Sequence, residues 1–277
     1  FAARRKHNQV LDIERKTEWP AFRPVLFHSA DPLHNLLGEN RVSIPRRSFL
    51  AMTGAAWCVL PSFATLAREL PMLDHILLGC NNLQHGIDFV EQHTGVRAAF
   101  GGVHPGRGTQ NALLSLGTRR YLEILAPDPQ QHADDPLATK LKGLSEPRLV
   151  RWAANTGNMA ALVARLKAAA IAFEGPNPGA RKRPDGKTLN WQTLNLADDL
   201  SGLLPFFIQW SEYSVHPSVD APSGCTLASF ELISTDPSTL SRIGAHLSLD
   251  VPISEGPAAQ LRAVIASPYH PPLELTT

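Results

Sequence analysis

Long apolar runs are missing from this 277-residue chain. None reaches the ~20 residues that a bilayer-spanning helix requires, so stable membrane insertion is not expected. An excess of one charge is missing as well: 26 basic side chains face 25 acidic ones, for a formal net charge of +1. No basic stripe interleaved with aromatics occurs, which argues against a nucleic-acid partner. The cluster Arg181-Lys182-Arg183 reads as a solvated hairpin tip. Cysteine is scarce, with three residues. Cys80 ends one apolar stretch and Cys225 begins another, so a bridge between them and two buried free thiols are both open. No Gly-x-Ser-x-Gly elbow is present. The Gly-rich stretch 101–108 lacks the Lys-Ser/Thr that follows a phosphate loop, so no nucleotide is expected. What is present is 43% hydrophobic residues, which fits a globular core, in a length of 277 residues, enough for one large domain or two small ones.

The N-terminal quarter has a different character. Pro45-Arg46-Arg47-Ser48-Phe49-Leu50 precedes an apolar stretch over residues 51–60 and the small-residue segment Ala64-Thr65-Leu66-Ala67. A basic region, an apolar region and a cleavage point after Ala67 compose an export signal, and Arg-Arg-x-Phe-Leu resembles the twin-arginine type. A short buried helix after a basic turn is the alternative. Export predicts a periplasmic or secreted protein; without the signal the expectation is cytoplasmic. The first methionine is Met52. Residues 1–41 are therefore expected to be an unstructured upstream extension, with the biological start at Val42 and the signal over 42–67.

Beyond the signal, a pattern of elements occurs twice. Residues 73–80 read as a buried strand, closed by Gly79 and Asn81-Asn82. Asn82 caps a helix over 83–93, stopped by Thr94-Gly95. Residues 96–100 lead into a loop at 101–108, and strands follow at 111–116 and 121–126. A polar linker at 128–147 carries a short helix at 136–144. Then come a strand at 149–154, a helix at 159–170 capped by Asn158, and residues 171–175 leading into a Pro/Gly loop at 176–179. A hairpin turning at Pro184-Asp185-Gly186 and strands at 189–194 and 204–210 complete the repeat. A third stretch adds a strand at 226–234, a helix from Asp236-Pro237 to His246, and a closing hairpin of 261–266 with 272–275. The order of elements implies a weak internal duplication, with units over 68–135, 136–215 and 216–277.

Two of these strands carry an ionisable residue among apolar neighbours: His75 in the first and Glu123 in Tyr121-Leu122-Glu123-Ile124. Such a group costs several kcal/mol unless it is paired, hydrogen-bonded or metal-bound. Between them, the Gly-rich loop carries His104, Arg107, Gln110 and Asn111. Plainer readings exist for each. His75 fits a hydrogen-bonded core histidine. Glu123 fits an ion pair with Arg107 or Arg151, which need not add stability. Trp152, Trp191 and Trp210 fit core positions.

The segments Leu73-Asp74-His75-Ile76, His104-Pro105-Gly106-x-Gly108-Thr109-x-Asn111-Ala112-Leu113-Leu114 and Tyr121-Leu122-Glu123-Ile124, with Ala126-Pro127, resemble the glyoxalase-like branch of the vicinal oxygen chelate superfamily (glyoxalases, extradiol dioxygenases and bleomycin-resistance proteins). The resemblance extends over about residues 70–277 and is strongest in the first unit. It implies an α+β fold of tandem βαβββ units forming an open half-barrel pair, plus a partial third C-terminal unit. It also implies metal ligation from first and last strands, which maps His75 and Glu123 onto ligand positions for one divalent ion such as Zn, Fe, Mn or Ni. The chain departs from that pattern in its second unit, where Leu149-Val150-Arg151-Trp152-Ala153-Ala154 has no ligand and the last strand offers only Gln209. Relatives usually carry a histidine where this chain has Gln110. His104 and His216 are further donors in loops.

The resemblance implies a small-molecule ligand in the cleft between units. Glu123 and His104 are the catalytic candidates, and Arg107, Gln110 and Asn111 the substrate-binding ones. A metal would act as Lewis acid in lyase or isomerase chemistry; the alternative is a metal-free binding or sequestering protein. The units either close on one another within the chain or pair in a homodimer.

Overall fold

The computed structural model describes residues 72–131, 135–183 and 185–277; the expected signal and upstream extension lie outside them. The first apolar run forms β1 (Met72–Gly79). Asn82 then caps α1 (Leu83–Thr94) by accepting from the His85 amide, and Gly95 ends it in the left-handed conformation at φ 72°, which glycine adopts without a Cβ penalty. Next come β2 (Ala99–His104), β3 (Thr109–Ser115) and β4 (Tyr121–Pro127). The Asp135 side chain caps the short α2 (Pro136–Lys142). The order then repeats with β5 (Arg148–Asn155), α3 (Met159–Ala168), β6 (Phe173–Lys182), β7 (Thr188–Leu196) and β8 (Phe206–Trp210).

These strands form one sheet in the order β2-β3-β4-β1-β5-β8-β7-β6. The order reads outward symmetrically from the antiparallel β1–β5 pair, and each half contains one parallel pair, β1 with β4 and β5 with β8. This is the expected pair of βαβββ half-barrels. Alternation of side chains along a strand divides each half into two faces. Ile76, Leu78, Leu122, Ile124 and Trp152 point to a fully buried core shared with α1 and α3, while His75, Leu77, Tyr121 and Glu123 point into the concave side.

After α4 (Pro217–Asp220), the third unit contains β9 (Thr226–Ser234), α5 (Pro237–Leu247), β10 (Ile253–Glu255), β11 (Gln260–Ala266) and β12 (Leu273–Thr276). It forms a second sheet, β10-β9-β11-β12, whose Phe230 packs on Trp152 with ring centroids 5.2 Å apart. The short β10, not expected from the sequence, gives this unit the full βαβββ order. Cys80 and Cys225 are both free and buried.

Two expected loops are strands. Gly101 and Gly102 lie within β2, which has a bulge there, and Pro176 to Gly179 lie within β6, bulged between Glu174 and Asn177. Glycine and proline mark bulges in edge strands as readily as loops. Among the described residues no helix is long and apolar enough to cross a membrane.

Candidate active site

The concave side of the sheet encloses a cavity of about 310 Å³ lined by both halves. Strand register explains how distant residues meet there. Tyr121, His75, Ala153 and Phe206 form one row across β4, β1, β5 and β8, and Glu123, Leu77 and Arg151 form the next row. Since successive residues alternate faces, His75 and Leu77 share the inward side of β1.

The His75 imidazole is bracketed by two carboxylates. Its Nδ1 lies 2.7 Å from Asp74 Oδ1 and its Nε2 lies 3.4 Å from Glu123 Oε2. It stacks on Tyr121 at 4.4 Å, and Phe206 meets it edge-on at 5.5 Å. An ionised carboxylate only accepts, so Nδ1 carries a hydrogen donated to Asp74. The register of β1 on β5 shifts between Leu73 and His75. Asp74 is thus the extra residue of a bulge, and its Oδ2 accepts from Asn155 Nδ2 at 3.1 Å and Trp210 Nε1 at 3.0 Å and lies 3.2 Å from His216 Nε2. Burial alone would raise the Asp74 pKa, but the hydrogen bonds of His216 and His75 and their charges hold it well below the usual carboxylate range.

Glu123 is held on its other side by Asn111. Arg181 Nη1 donates to Asn111 Oδ1 at 2.8 Å; guanidinium cannot accept, so the amide orientation is determined. Asn111 Nδ2 then donates to Glu123 Oε1 at 2.6 Å and faces His104 Nε2 at 3.3 Å. His104 therefore accepts at Nε2 and donates from Nδ1 to Thr109 Oγ1, 2.9 Å away. Burial lowers the His104 pKa against the opposing pull of Glu123, in keeping with a neutral ring. Burial raises the Glu123 pKa, but His75, His104, the Asn111 amide and Arg181 outweigh it and hold the carboxyl below its ordinary value. Tyr121 is pushed well above its ordinary pKa, by burial and then by Asp74 and Glu123, so its phenol keeps its proton at neutral pH.

Of the candidates read from sequence, His75, Glu123, His104 and Asn111 come together. Arg107 stands at the rim, exposed and paired with Asp135 at 2.9 Å. Gln110 is not among the cavity walls; its Nε2 donates to the Pro127 carbonyl at 3.1 Å. Neither arginine weighed as a partner of Glu123 is one: Arg151 instead donates to Asn195 Oδ1 at 2.9 Å. Gln209 faces away, its Oε1 accepting from the Met159 amide at the start of α3. Trp152 is core as expected, while Trp191 and Trp210 line the cavity.

The largest correction concerns Arg181. It is 4% exposed, not part of a solvated tip. It reaches across the seam between β6 and β2, where a Cβ on Gly101 would collide with Arg181 Nη1 and Asn111 Oδ1. The adjacent glycines 101 and 102 were the available signal, since paired glycines within a strand mark a close approach. Asp74, Arg181, Tyr121 and Arg151 were all missed as site residues.

The donor set does not make a metal cage. His75 Nε2 and Glu123 Oε2 are spaced as two ligands of one ion would be, but Asn111 occupies Glu123 Oε1 and faces His104 Nε2. The second half brings Arg151, Phe206 and Trp210 to the cavity, and the Arg181 cation acts on both Glu123 and His104. Among the described residues no group of three or more His, Cys, Asp or Glu side chains is arranged to hold an ion.

Comparison with solved structures finds similar chains. A hypothetical protein from Staphylococcus aureus superimposes with a TM-score of 0.51 at 16% identity, covering 68% of this chain and 87% of that one. A methylmalonyl-CoA epimerase in complex with methylmalonyl-CoA and NH4+ gives a TM-score of 0.40 at 21% identity, over 52% of this chain and 98% of that one. The methylmalonyl-CoA epimerase of Mycobacterium tuberculosis gives 0.38 at 19% identity, over 52% and 91% respectively. No curated protein matches the chain in sequence. The Glyoxalase-like domain family matches residues 73–248, more than half of the chain, and the protein belongs to that family.

Proposed function

We propose that this protein binds a small oxygenated molecule in the cavity and moves a proton on it, as an isomerase or lyase acting by general acid–base catalysis. The observation that carries this reading is Glu123. It is a buried carboxylate kept ionised by its surroundings, at the wall of a cavity, with one oxygen held by Asn111 and the other facing an oriented imidazole. A base so placed takes a proton from a carbon next to a carbonyl. The C–H electron pair forms a C=C bond while the carbonyl π pair moves onto oxygen, giving an enolate, and the Tyr121 phenol is the donor available to that oxygen. His75, fixed at Nδ1 by Asp74, presents Nε2 to Glu123 and holds that carboxyl in place, and the proton Glu123 has taken returns to a different carbon or departs with a leaving group. Fixing the imidazole by a carboxylate is how a histidine is kept in one tautomer.

The test is solvent deuterium incorporation, followed by NMR, with hydroxyacetone, dihydroxyacetone and pyruvate as probes. We expect exchange above the buffer rate at the carbon beside the carbonyl of at least one probe, reduced by about 100-fold or more in Glu123→Gln. Exchange with none of the three, or equal exchange in the variant, overturns the reading. Saturable binding without exchange would leave a sequestering protein.

A further inference from the structure

We infer that the ligand of this cavity carries a single carboxylate and that Arg151 holds it. The inference rests on the cavity being the binding site proposed above, and it begins from the charges on the cavity walls. Arg107 is paired with Asp135. Arg181 is joined to Glu123 through Asn111, and the two stabilise one another. Arg151 has no carboxylate in direct contact; Asp199 and Asp135 attract it from farther off. Its Nη2 donates to the neutral Asn195, and its guanidinium carbon sits 4.9 Å from the centre of the Phe206 ring. Among the described residues no carboxylate lies within ion-pair distance of it.

A half-buried cation with only a neutral partner is costly unless an anion joins it. Phe206 behind the guanidinium and Asn195 at one nitrogen fix the plane of the fork and leave its remaining N–H groups for a ligand. That geometry suits bidentate binding of a carboxylate. A single guanidinium fork without a carboxylate in contact matches one carboxylate, which favours a monocarboxylate over a phosphate dianion.

Register and cavity volume set the size of the ligand. Glu123, Leu77 and Arg151 lie in one row across β4, β1 and β5, so their Cα atoms are about 10 Å apart at the usual strand spacing. From that row Glu123 turns toward Asn111 on β3 and Arg151 toward Asn195 on β7, within a cavity of about 310 Å³. A cavity of that volume takes a small ligand, its carboxylate on Arg151 and its reacting carbonyl toward Glu123. The class is a small oxo or hydroxy acid.

The test compares pyruvate, its neutral amide pyruvamide and inorganic phosphate, using quenching of Trp191 and Trp210 fluorescence and calorimetry on the whole protein. We expect saturable pyruvate binding, at least tenfold weaker binding of pyruvamide and of phosphate, and a loss of about thirtyfold for pyruvate in Arg151→Gln. Arg151→Lys, which keeps the charge without the fork, should recover part of the loss. Circular dichroism and unchanged melting of the variants guard against misfolding. No saturation by pyruvate up to about 10 mM, equal affinity for the amide, tighter binding of phosphate, or unaltered affinity in Arg151→Gln overturns the inference. Glu123→Gln separates the two claims. If pyruvate binding depends on Arg151 while no probe exchanges deuterium, the anchor stands and the proton-transfer reading fails. If hydroxyacetone exchanges through Glu123 while pyruvate binds no better than its amide, the reverse holds.

Discussion

Replacing Gly101 by Ala probes whether the two half-barrels are fastened through Arg181. The backbone at Gly101 is open to any residue, since its φ is not among the positive ones; space alone is the obstacle. An added Cβ would collide with Arg181 Nη1 and Asn111 Oδ1 and come within 2.9 Å of Leu113 Cγ. The first two are ends of movable side chains, so they would part, breaking the 2.8 Å bond between them. A hydrogen bond to a charged group contributes about 1.5–3 kcal/mol, and in a domain of this size that lowers the melting temperature by about 3–12 °C. Asn111 would lose the contact that orients its amide toward Glu123, so proton exchange should fall with stability. Gly143→Ala is the control: its φ is −84° and the nearest atom to an added Cβ is Lys140 O at 3.6 Å, so stability should change by about 0.5 kcal/mol or less, or rise slightly. The decisive assay is a double-mutant cycle by urea unfolding. In an Arg181→Met background the Gly101→Ala penalty should shrink by more than half. A penalty of full size there, or no penalty in the wild type, refutes the idea that Arg181 determines the need for glycine.

Asp74→Asn should destabilise the protein by about 3 kcal/mol or more at pH 7, because it removes a buried anion on which His75, His216, Asn155 and Trp210 converge. The folded-state pKa of Asp74 is depressed, so its contribution is full above the unfolded value near 4 and is lost as pH falls toward the folded value. The gap between wild type and variant should therefore narrow by about 1.4 kcal/mol per pH unit below pH ~4; a gap that stays constant between pH 5 and pH 3 contradicts this. Elemental analysis of protein purified without chelators should find no stoichiometric Zn, Fe, Mn or Ni, and deuterium exchange should survive dialysis against EDTA. A stoichiometric ion lost on replacing His75 and Glu123 together by Ala would reinstate the ligand assignment implied by the family resemblance and displace the acid–base reading.

Some of the site was legible because it is encoded locally. A histidine and a glutamate each embedded in a short apolar strand can be recognised as costly to bury, and period two places each on a defined face. Asp74 was readable on the same ground, but a carboxylate beside a histidine in sequence normally points to the opposite face of a strand. Only the bulge in β1 brings both to one network. The glycines at 101–102 and the Pro/Gly stretch 176–179 read as loops in sequence because the same residues serve turns and edge-strand bulges, and only the pairing partner distinguishes them.

By itself the sequence determined the duplicated order of strands and helices and the capping of α1 and α3 by asparagine, because these depend on periodicities and residue preferences within a few neighbours; the α+β class of paired half-barrels came with the family resemblance. The tertiary structure decided which charges balance which. Arg181 reads as part of an exposed basic cluster until the curl of the sheet carries it past Gly101 to Asn111, and Arg151 stands without a carboxylate in contact only because Arg107 meets Asp135. Charge pairing acts through space over a few ångströms, and residues seventy positions apart reach that range only after the sheet has closed.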